Sequence, residues 1–384
     1  DYIDGEEKRN PSGILRGISK NLNFSSSSES FIINIQNKGG LTMGFVLFEK
    51  AACLDKLTRL GDPLERLDKV IPWEMFRPTL SAALNRTVSP KGGRPPYDVI
   101  LMFKILILQR FYGLSDDQTE YQINDRMSFK RFLGITLGGT VPDAKTIWHF
   151  REQLVKAKAI DECFNLFGQM LEDQGIITHK GSIVDATFVD APKQRNSRED
   201  NAKIKNGEVP EEWKEPQNKN KLAQKDTDAR WTKKNNETHY GYKNHVKVDA
   251  DSKMITGSVT TPANVHDSQP LPELIDEKDR VLYADSAYSG KPVQDRLPAD
   301  LDCQIHEKGY KNHPLTDEQK ALNRIKSSTR VRVEHVFGFM TNSMHGITLR
   351  CIGIARACFN CSITNLVYNL CRYEFLCSTR NVGA

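Results

Sequence analysis

An α/β protein with a helical front part is what this sequence predicts, and three observations carry that expectation. Residues 43–175 repeat apolar side chains at helical spacing. From residue 181 the texture changes to β-branched and alternating runs. In that second part the strands alternate with helices, so the sheet is expected to be flanked by them. The 384 residues are 38% hydrophobic, with 17 Phe, 11 Tyr and 4 Trp, which is enough apolar material for at least one sizeable core. No apolar run approaches the ~18 residues of a membrane span, which excludes a transmembrane protein at this level. The N-terminus lacks the succession of a secretory signal. Eight Cys, five of them after position 350, do not form a disulfide framework, so a reducing cytoplasm is expected.

Residues 1–42 are expected to be a disordered N-terminal extension or an artefact. They carry the run Ser25–Ser28, end in Gly39-Gly40 and precede the first Met, Met43. Residues 43–175 read as a helical domain. Leu54, Leu57 and Leu60 recur three apart, and Asp62-Pro63 opens the next element. Tyr97 to Tyr112 is long, apolar and free of Gly and Pro, as a buried helix would be. Ser115 with Gln118 has the form of a capping box, and Asp143 is placed to cap a helix over Ala144 to Ala157. Short helices with brief turns resemble helix-turn-helix DNA-binding architecture, although an ordinary bundle has the same pattern. Gly93-Arg94-Pro95 could set Arg94 in a minor groove, or be a plain loop.

Residues 176–384 open with a strand over Gly181 to Val189. His239 to Ala250 and Lys253 to Thr261 read as a hairpin around Asp251-Ser252. A helix over Ser268 to Glu277, a strand over Arg280 to Tyr288, a short helix over Lys291 to Leu297 and a strand over Cys303 to Glu307 follow. Thr316 with Gln319 then starts a long helix reaching beyond Glu334. Between first strand and hairpin, residues 192–238 are rich in Lys, Asn, Glu and Gln, and are expected to be a mobile basic insert.

The net charge is +5, and its placement is informative. Residues 192–247 hold 14 Lys+Arg against 9 Asp+Glu; Lys320 to Arg356 hold seven basic residues and one carboxylate, Glu334. Two basic stretches in an otherwise balanced chain suggest contact with a polyanion.

Three carboxylates stand out against this background. Asp185 interrupts the apolar strand Ile183-Val184-Asp185-Ala186-Thr187-Phe188-Val189, where an uncompensated charge costs several kcal/mol. Asp285 falls where Val281-Leu282-Tyr283-Ala284 runs out, at the carboxyl end of a strand, where ligands collect in open α/β sheets. Each alone is equally explained as an Asp bonded to a nearby loop or turn. Glu334 lies among seven basic residues, with Arg330 one helical turn before it. That pair is an i,i+4 contact in its weaker orientation; the alternative is that Glu334 faces a cation while Arg330 and Arg332 meet a phosphate. Together the three could converge on one point and hold Mg²⁺, and two such ions clamp the attacking and leaving oxygens of a phosphoryl displacement.

From Met43 to about Leu376 the chain resembles the DDE transposases of bacterial insertion sequences, of the insertion-sequence-five type. The matching segments are Val184-Asp185-Ala186-Thr187 with Ala191-Pro192, Gly241-Tyr242-Lys243-Asn244-His245, Ala263-Asn264-Val265-His266-Asp267 and Ala284-Asp285-Ser286-Ala287-Tyr288. Arg330-Val331-Arg332-Val333-Glu334-His335-Val336-Phe337-Gly338 and Tyr368-Asn369-Leu370 complete the set. The resemblance implies a ribonuclease H-like catalytic domain, a mixed sheet flanked by helices, behind an all-helical DNA-binding domain. It implies that Asp185, Asp285 and Glu334 hold two Mg²⁺, with Mn²⁺ as a substitute, and that neither ATP nor a covalent enzyme intermediate is used. The expected reaction is cleavage at the element's terminal inverted repeats in double-stranded DNA, then attack of the 3′-OH on target DNA. The expected setting is a homo-oligomer on paired DNA ends, associated with the bacterial nucleoid. Where the family often carries Tyr and Lys, this chain has Ser327 and Thr341. A non-catalytic DNA-binding descendant and a nuclease without strand transfer are the alternatives.

Lys243, His245 and Lys247 share a strand face by period two and are expected to line a phosphate path, a plain solvent face being the alternative. His266 and Asp267 could support the metal site from behind, although Asp267 could equally cap the next helix. Cys358 and Cys361 form one CxxC with no second pair to complete a zinc set, so they are expected in a core helix.

Overall fold

The computed structural model describes residues 46–84, 95–234, 236–290, 295–311 and 313–381. Two units are distinguished, residues 1–56 and 57–384. Of the first, the described part is the beginning of α1 (Val46–Arg59). The expected extension 1–42 and the groove contact of Arg94 lie outside the described residues.

Up to residue 173 the second unit is built of helices: α2 (Pro63–Val70), α3 (Arg77–Leu84), α4 (Val99–Phe111), α5 (Asp116–Asp125), α6 (Met127–Leu133), α7 (Ala144–Ala157) and α8 (Ala159–Asp173). Helix α4 is apolar on nearly every side because it is surrounded; Phe103, Ile105, Leu106, Ile107 and Leu108 are all buried. The Asp98 carboxylate caps it by accepting from the Ile100 and Leu101 N–H groups at 2.8 and 3.1 Å. Asp143 caps α7 through the Thr146 N–H, and the Ser115 hydroxyl accepts from the Gln118 N–H to start α5.

The sheet has six strands: β1 (Ser182–Asp190), β2 (Arg230–Lys234), β3 (Glu237–Asp249), β4 (Ile255–Pro262), β5 (Val281–Ala284) and β6 (Asp302–Ile305). β3 is central to the antiparallel half; β1 runs along one edge, while β2 and β4 share the other. β5 pairs parallel to β1, and β6 parallel to β5, so the sheet is mixed. The hairpin expected at 239–261 is formed by β3 and β4. Gly241 sits in it at φ +146°, where an added Cβ would lie 2.2 Å from the Val189 carbonyl oxygen, so the close approach of β1 requires glycine.

Helices cover both faces. α15 (Ile354–Asn381) packs against β4 and also against α2, α4, α7 and α8, so sheet and front helices share one core. Two amides fasten it: Asn365 bonds Asn244 at 2.9 Å, and Asn369 takes both the N–H and the carbonyl of Ile255. On the other face a smaller cluster joins Val184, Leu282 and Ala284 to Leu271, Leu274 and Tyr288.

Three local expectations need correction. The segment 192–238 is more structured than its polar composition suggested: it forms α9 (Arg198–Lys205), α10 (Glu211–Lys214), α11 (Lys219–Ala223) and β2. Trp213 is buried there, and Asp226 accepts from the Tyr242 hydroxyl and the Ala229 and Gly353 N–H groups. The helix expected at 268–277 shrinks to α12 (Leu271–Leu274). The long helix expected through Glu334 is two, α13 (Asp317–Arg330) and α14 (Arg332–Asn342). They part at Val331, where the Glu334 N–H returns to the Val331 carbonyl in a tightened turn. The Thr316–Gln319 capping box at the start of α13 is complete. Among the described residues no helix is long and apolar enough to cross a membrane.

Candidate active site

Strand register brings the first two carboxylates together. Ile183 of β1 pairs with Tyr283 of β5 in parallel, and Asp185 and Asp285 each follow two residues later. Period two therefore puts both on the same face, on strands spaced about 4.8 Å apart. The Asp285 carboxylate accepts from the Ala287 N–H at 2.8 Å and caps a short 3₁₀ turn, Ser286–Tyr288. Glu334 comes from the first turn of α14, the helix that crosses β1.

Asp185 is more enclosed than Glu334; its side chain is 17% exposed against 51%. Burial raises its pKa to about 6, the Ala186 N–H and Arg330 oppose that rise, and Asp285 and Glu334 add to it by repulsion. Asp185 thus feels both of the other carboxylates. Arg330, the last residue of α13, lies between two of them: its guanidinium donates to Asp185 at 2.9 Å and approaches Glu334 at 3.5 Å. The break at Val331 sets Arg330 and Glu334 on separate helices while keeping them one turn apart.

Among the described residues no three His, Cys, Asp or Glu side chains are gathered tightly enough to form a ready ligand set. The donor chemistry nevertheless fits a hard divalent cation, being carboxylate oxygen throughout. A positive guanidinium also already stands between Asp185 and Glu334, where mutual repulsion calls for a cation.

The other residues singled out in the sequence divide differently. Arg332 turns to the β3–β4 connection, bonded to the Ala250 carbonyl and 3.6 Å from Asp251, not to the carboxylates. Lys243, His245 and Lys247 do not form a phosphate path. They pair with Phe188, Ala186 and Val184, which puts them on the sheet face opposite Asp185, and all three are buried. Lys243 bonds Asp267 at 2.7 Å, and Lys247 bonds Asp276 and Asp279 at 2.7 and 2.8 Å. Burial holds the His245 imidazole down at about 4, so it is neutral, and its Nε2 meets the Thr261 hydroxyl at 2.9 Å. The support expected from His266 and Asp267 is likewise corrected. Asp267 is engaged by Lys243, His266 bonds Ser268, and neither bonds any of the three carboxylates. Cys361 is buried in α15, its thiol pushed up to about 12.

Two residues near the carboxylates have no role assigned from the sequence, although Tyr288 belongs to one of its matching segments. His306 follows β6, and the pair Ala284–Ile305 places it next in register to Asp285; its Nε2 meets Ser327 at 3.2 Å. Burial lowers its pKa, and Arg330 lowers it further. Tyr288 is buried with its hydroxyl unpartnered, facing the charges of Asp185, Asp267 and Asp285. The parallel register could have located His306, but no sequence pattern marks Tyr288's hydroxyl.

Asp185 within β1, Asp285 immediately after the parallel strand β5 and Glu334 on the helix packed against β1 thus present three carboxylates on one side of a mixed sheet. Residues 177–370 match the family model described as the transposase DDE domain, and residues 52–153 match the transposase domain model DUF772. The first match spans half of the chain, and the protein belongs to the transposase DDE domain family, of the insertion-sequence type. It is accordingly a transposase, an enzyme that acts on DNA, and its family implies use of a divalent metal. Among solved structures, a piggyBac transposase synaptic complex with hairpin DNA is similar at 11% identity and a TM-score of 0.36. The similarity covers 79% of this chain and 72% of that one.

Proposed function

We propose that this transposase, of the insertion-sequence-five type, cuts DNA at the terminal inverted repeats of its element and joins the freed 3′-OH ends to target DNA. The observation that carries this reading is the placement of Asp185 and Asp285 two residues past the Ile183–Tyr283 pair, with Arg330 linking Asp185 to Glu334. A ribonuclease H-like catalytic domain over 176–384 is supported by the strand sequence, three antiparallel strands β1, β3 and β4 followed by parallel β5 and β6. The helices before it, within 43–175, are assigned to DNA binding, and the active form to a homo-oligomer on paired ends in the bacterial nucleoid.

Asp185, Asp285 and Glu334 would hold two Mg²⁺, with Mn²⁺ as a substitute. Bound there, the ions supply Lewis acidity for hydrolysis and strand transfer. The chain's own contribution is positioning. Two of the three ligands extend from paired strands that cannot shift independently, and Glu334 rides on a helix anchored by buried Val333, Val336 and Met340. Arg330 has a second use: displaced from the carboxylates, it is within reach of a phosphate at the same centre.

The test is strand cleavage and strand transfer on element-end DNA with Mg²⁺. Asp185→Asn, Asp285→Asn and Glu334→Gln should each reduce cleavage to background while DNA binding persists; cleavage retained by any of them would refute its role. Cleavage by the wild type without a joined product would make the protein a nuclease. DNA binding without any metal-dependent cleavage would make it a non-catalytic descendant.

A further inference from the structure

A cavity lies away from the carboxylates, between α4, α5 and α7 on one side and residues 345–363 on the other. It measures about 650 Å³, within the usual size of ligand pockets. Four arginines line it, and they are not equivalent. Arg151 is paired with Asp116, and Arg356 with Glu152, each through two hydrogen bonds. Arg110 and Arg350 have no carboxylate within ion-pair distance among the described residues. Arg350 donates to the Gly113 carbonyl at 3.3 Å, and its charge acts on Asp116 without an ion-pair contact. Arg110 holds the Met344 and Gly346 carbonyls, and its Nε is buried without a partner. Burial pushes the Arg110 guanidinium down to about 10, which still leaves it charged at neutral pH. Arg110 is half-buried, so its guanidinium carries charge at the cavity wall that no carboxylate of the described residues offsets by an ion pair.

Trp148 stands on the wall of the same cavity, 48% exposed. The cavity also connects towards the carboxylates. Gly346 and Thr348 line both it and a smaller hollow of about 180 Å³, whose other walls include Thr187 and Phe337. Thr187 is two residues beyond Asp185 on the same strand face, and Phe337 one turn beyond Glu334.

We infer that this cavity binds an unpaired strand of DNA leading away from the carboxylate centre, with a base stacked on Trp148 and its phosphates on Arg110 and Arg350. The inference rests on the reading of the protein as a DNA-cutting transposase and adds where one strand goes. A closed double helix does not fit a space of this size. A single strand does, and aromatic faces beside guanidinium groups are the chemistry that holds one whatever its sequence.

The experiment compares two labelled DNAs by fluorescence anisotropy in EDTA, so that nothing is cut: a blunt duplex, and the same duplex with a short single-stranded tail. Wild type should bind the tailed DNA about tenfold more tightly, the scale of one stacked base and a phosphate contact. Trp148→Ala and Arg350→Ala, both at exposed positions, should each bring the ratio of the two affinities close to one. Using the ratio makes the result independent of any general loss of DNA affinity, and circular dichroism verifies that the variants are folded. A wild-type ratio of one alongside firm duplex binding would overturn the inference and leave the transposase reading standing. So would variants that keep the preference. Failure of the wild type to bind either DNA would overturn both.

Discussion

The two faces of one strand pair teach more than either does alone. β1 and β3 carry charged residues on both sides, yet only one side is a candidate for chemistry. On the α14 side, Asp185 has a single charged partner, Arg330, and two repelling carboxylates. On the α12 side, Lys247 is 1% exposed and closed in by Asp276 and Asp279; Asp279 in turn also takes the Ser182 hydroxyl and the Asp276 N–H. The difference is completeness. A buried charge whose partners are all supplied by the chain is structural, whereas one with surplus like charge awaits something else.

The contrast breaks first at Lys247. Lys247→Met keeps the volume but strands a fully buried Asp279 carboxylate, so unfolding in urea should show a loss of about 3–5 kcal/mol. The double change Lys247→Met with Asp279→Asn should recover most of it, because the uncompensated charge is then gone. A single variant no weaker than an exposed Lys substitution would return Lys247 to solvent and undo the assignment of faces.

His245, on the same closed face, gives a second and smaller effect. Its pKa falls from 6.5 to about 4 on folding, chiefly by burial. The unfolded chain therefore binds the proton more readily, so the neutral ring's contribution is complete above pH 6.5 and is lost as pH falls towards 4. The difference amounts to about 3 kcal/mol. His245→Gln cannot titrate, and the stability it loses between pH 7 and pH 4 should be smaller than the wild type's by that amount. Parallel pH profiles for the two proteins would show that the imidazole is accessible to protons in the folded state.

What could be read beforehand follows the same division. Asp185 and Asp285 were visible because a carboxylate in an apolar strand is anomalous in one dimension, and the hairpin because alternation and a polar turn are local signals. Period two also grouped Lys243, His245 and Lys247 correctly. It could not say which side of the sheet they occupy relative to Asp185, since that depends on the β1–β3 register, a pairing between segments some sixty residues apart. The loop aspartates that neutralise the two lysines, Asp267, Asp276 and Asp279, come from yet another segment. The helix break at Val331 is hidden for a related reason, because the β-branched Thr329 and Val331 lower helix propensity only slightly and no Gly or Pro marks a stop. The structured insert was missed because Trp213 and Asp226 are two residues in a polar background, and composition averages them away.

The smallest expected effect tests the open face. If Arg330 serves there as a substitute cation between Asp185 and Glu334, removing its charge should weaken the fold little and favour a metal instead. Glu334 is half exposed, and Asp185 can take up a proton once its cation is gone, so Arg330→Gln should cost clearly less stability than Lys247→Met. Calorimetric titration with Mn²⁺ in the absence of DNA should show affinity rising by about tenfold, which corresponds to ~1.4 kcal/mol of competition removed. Weaker Mn²⁺ binding would mean that Arg330 orders the carboxylates for the metal and does not compete with it. Unchanged binding would place the metal clear of the guanidinium, nearer Asp285. In either case the open face would owe its incompleteness to something other than a displaceable arginine.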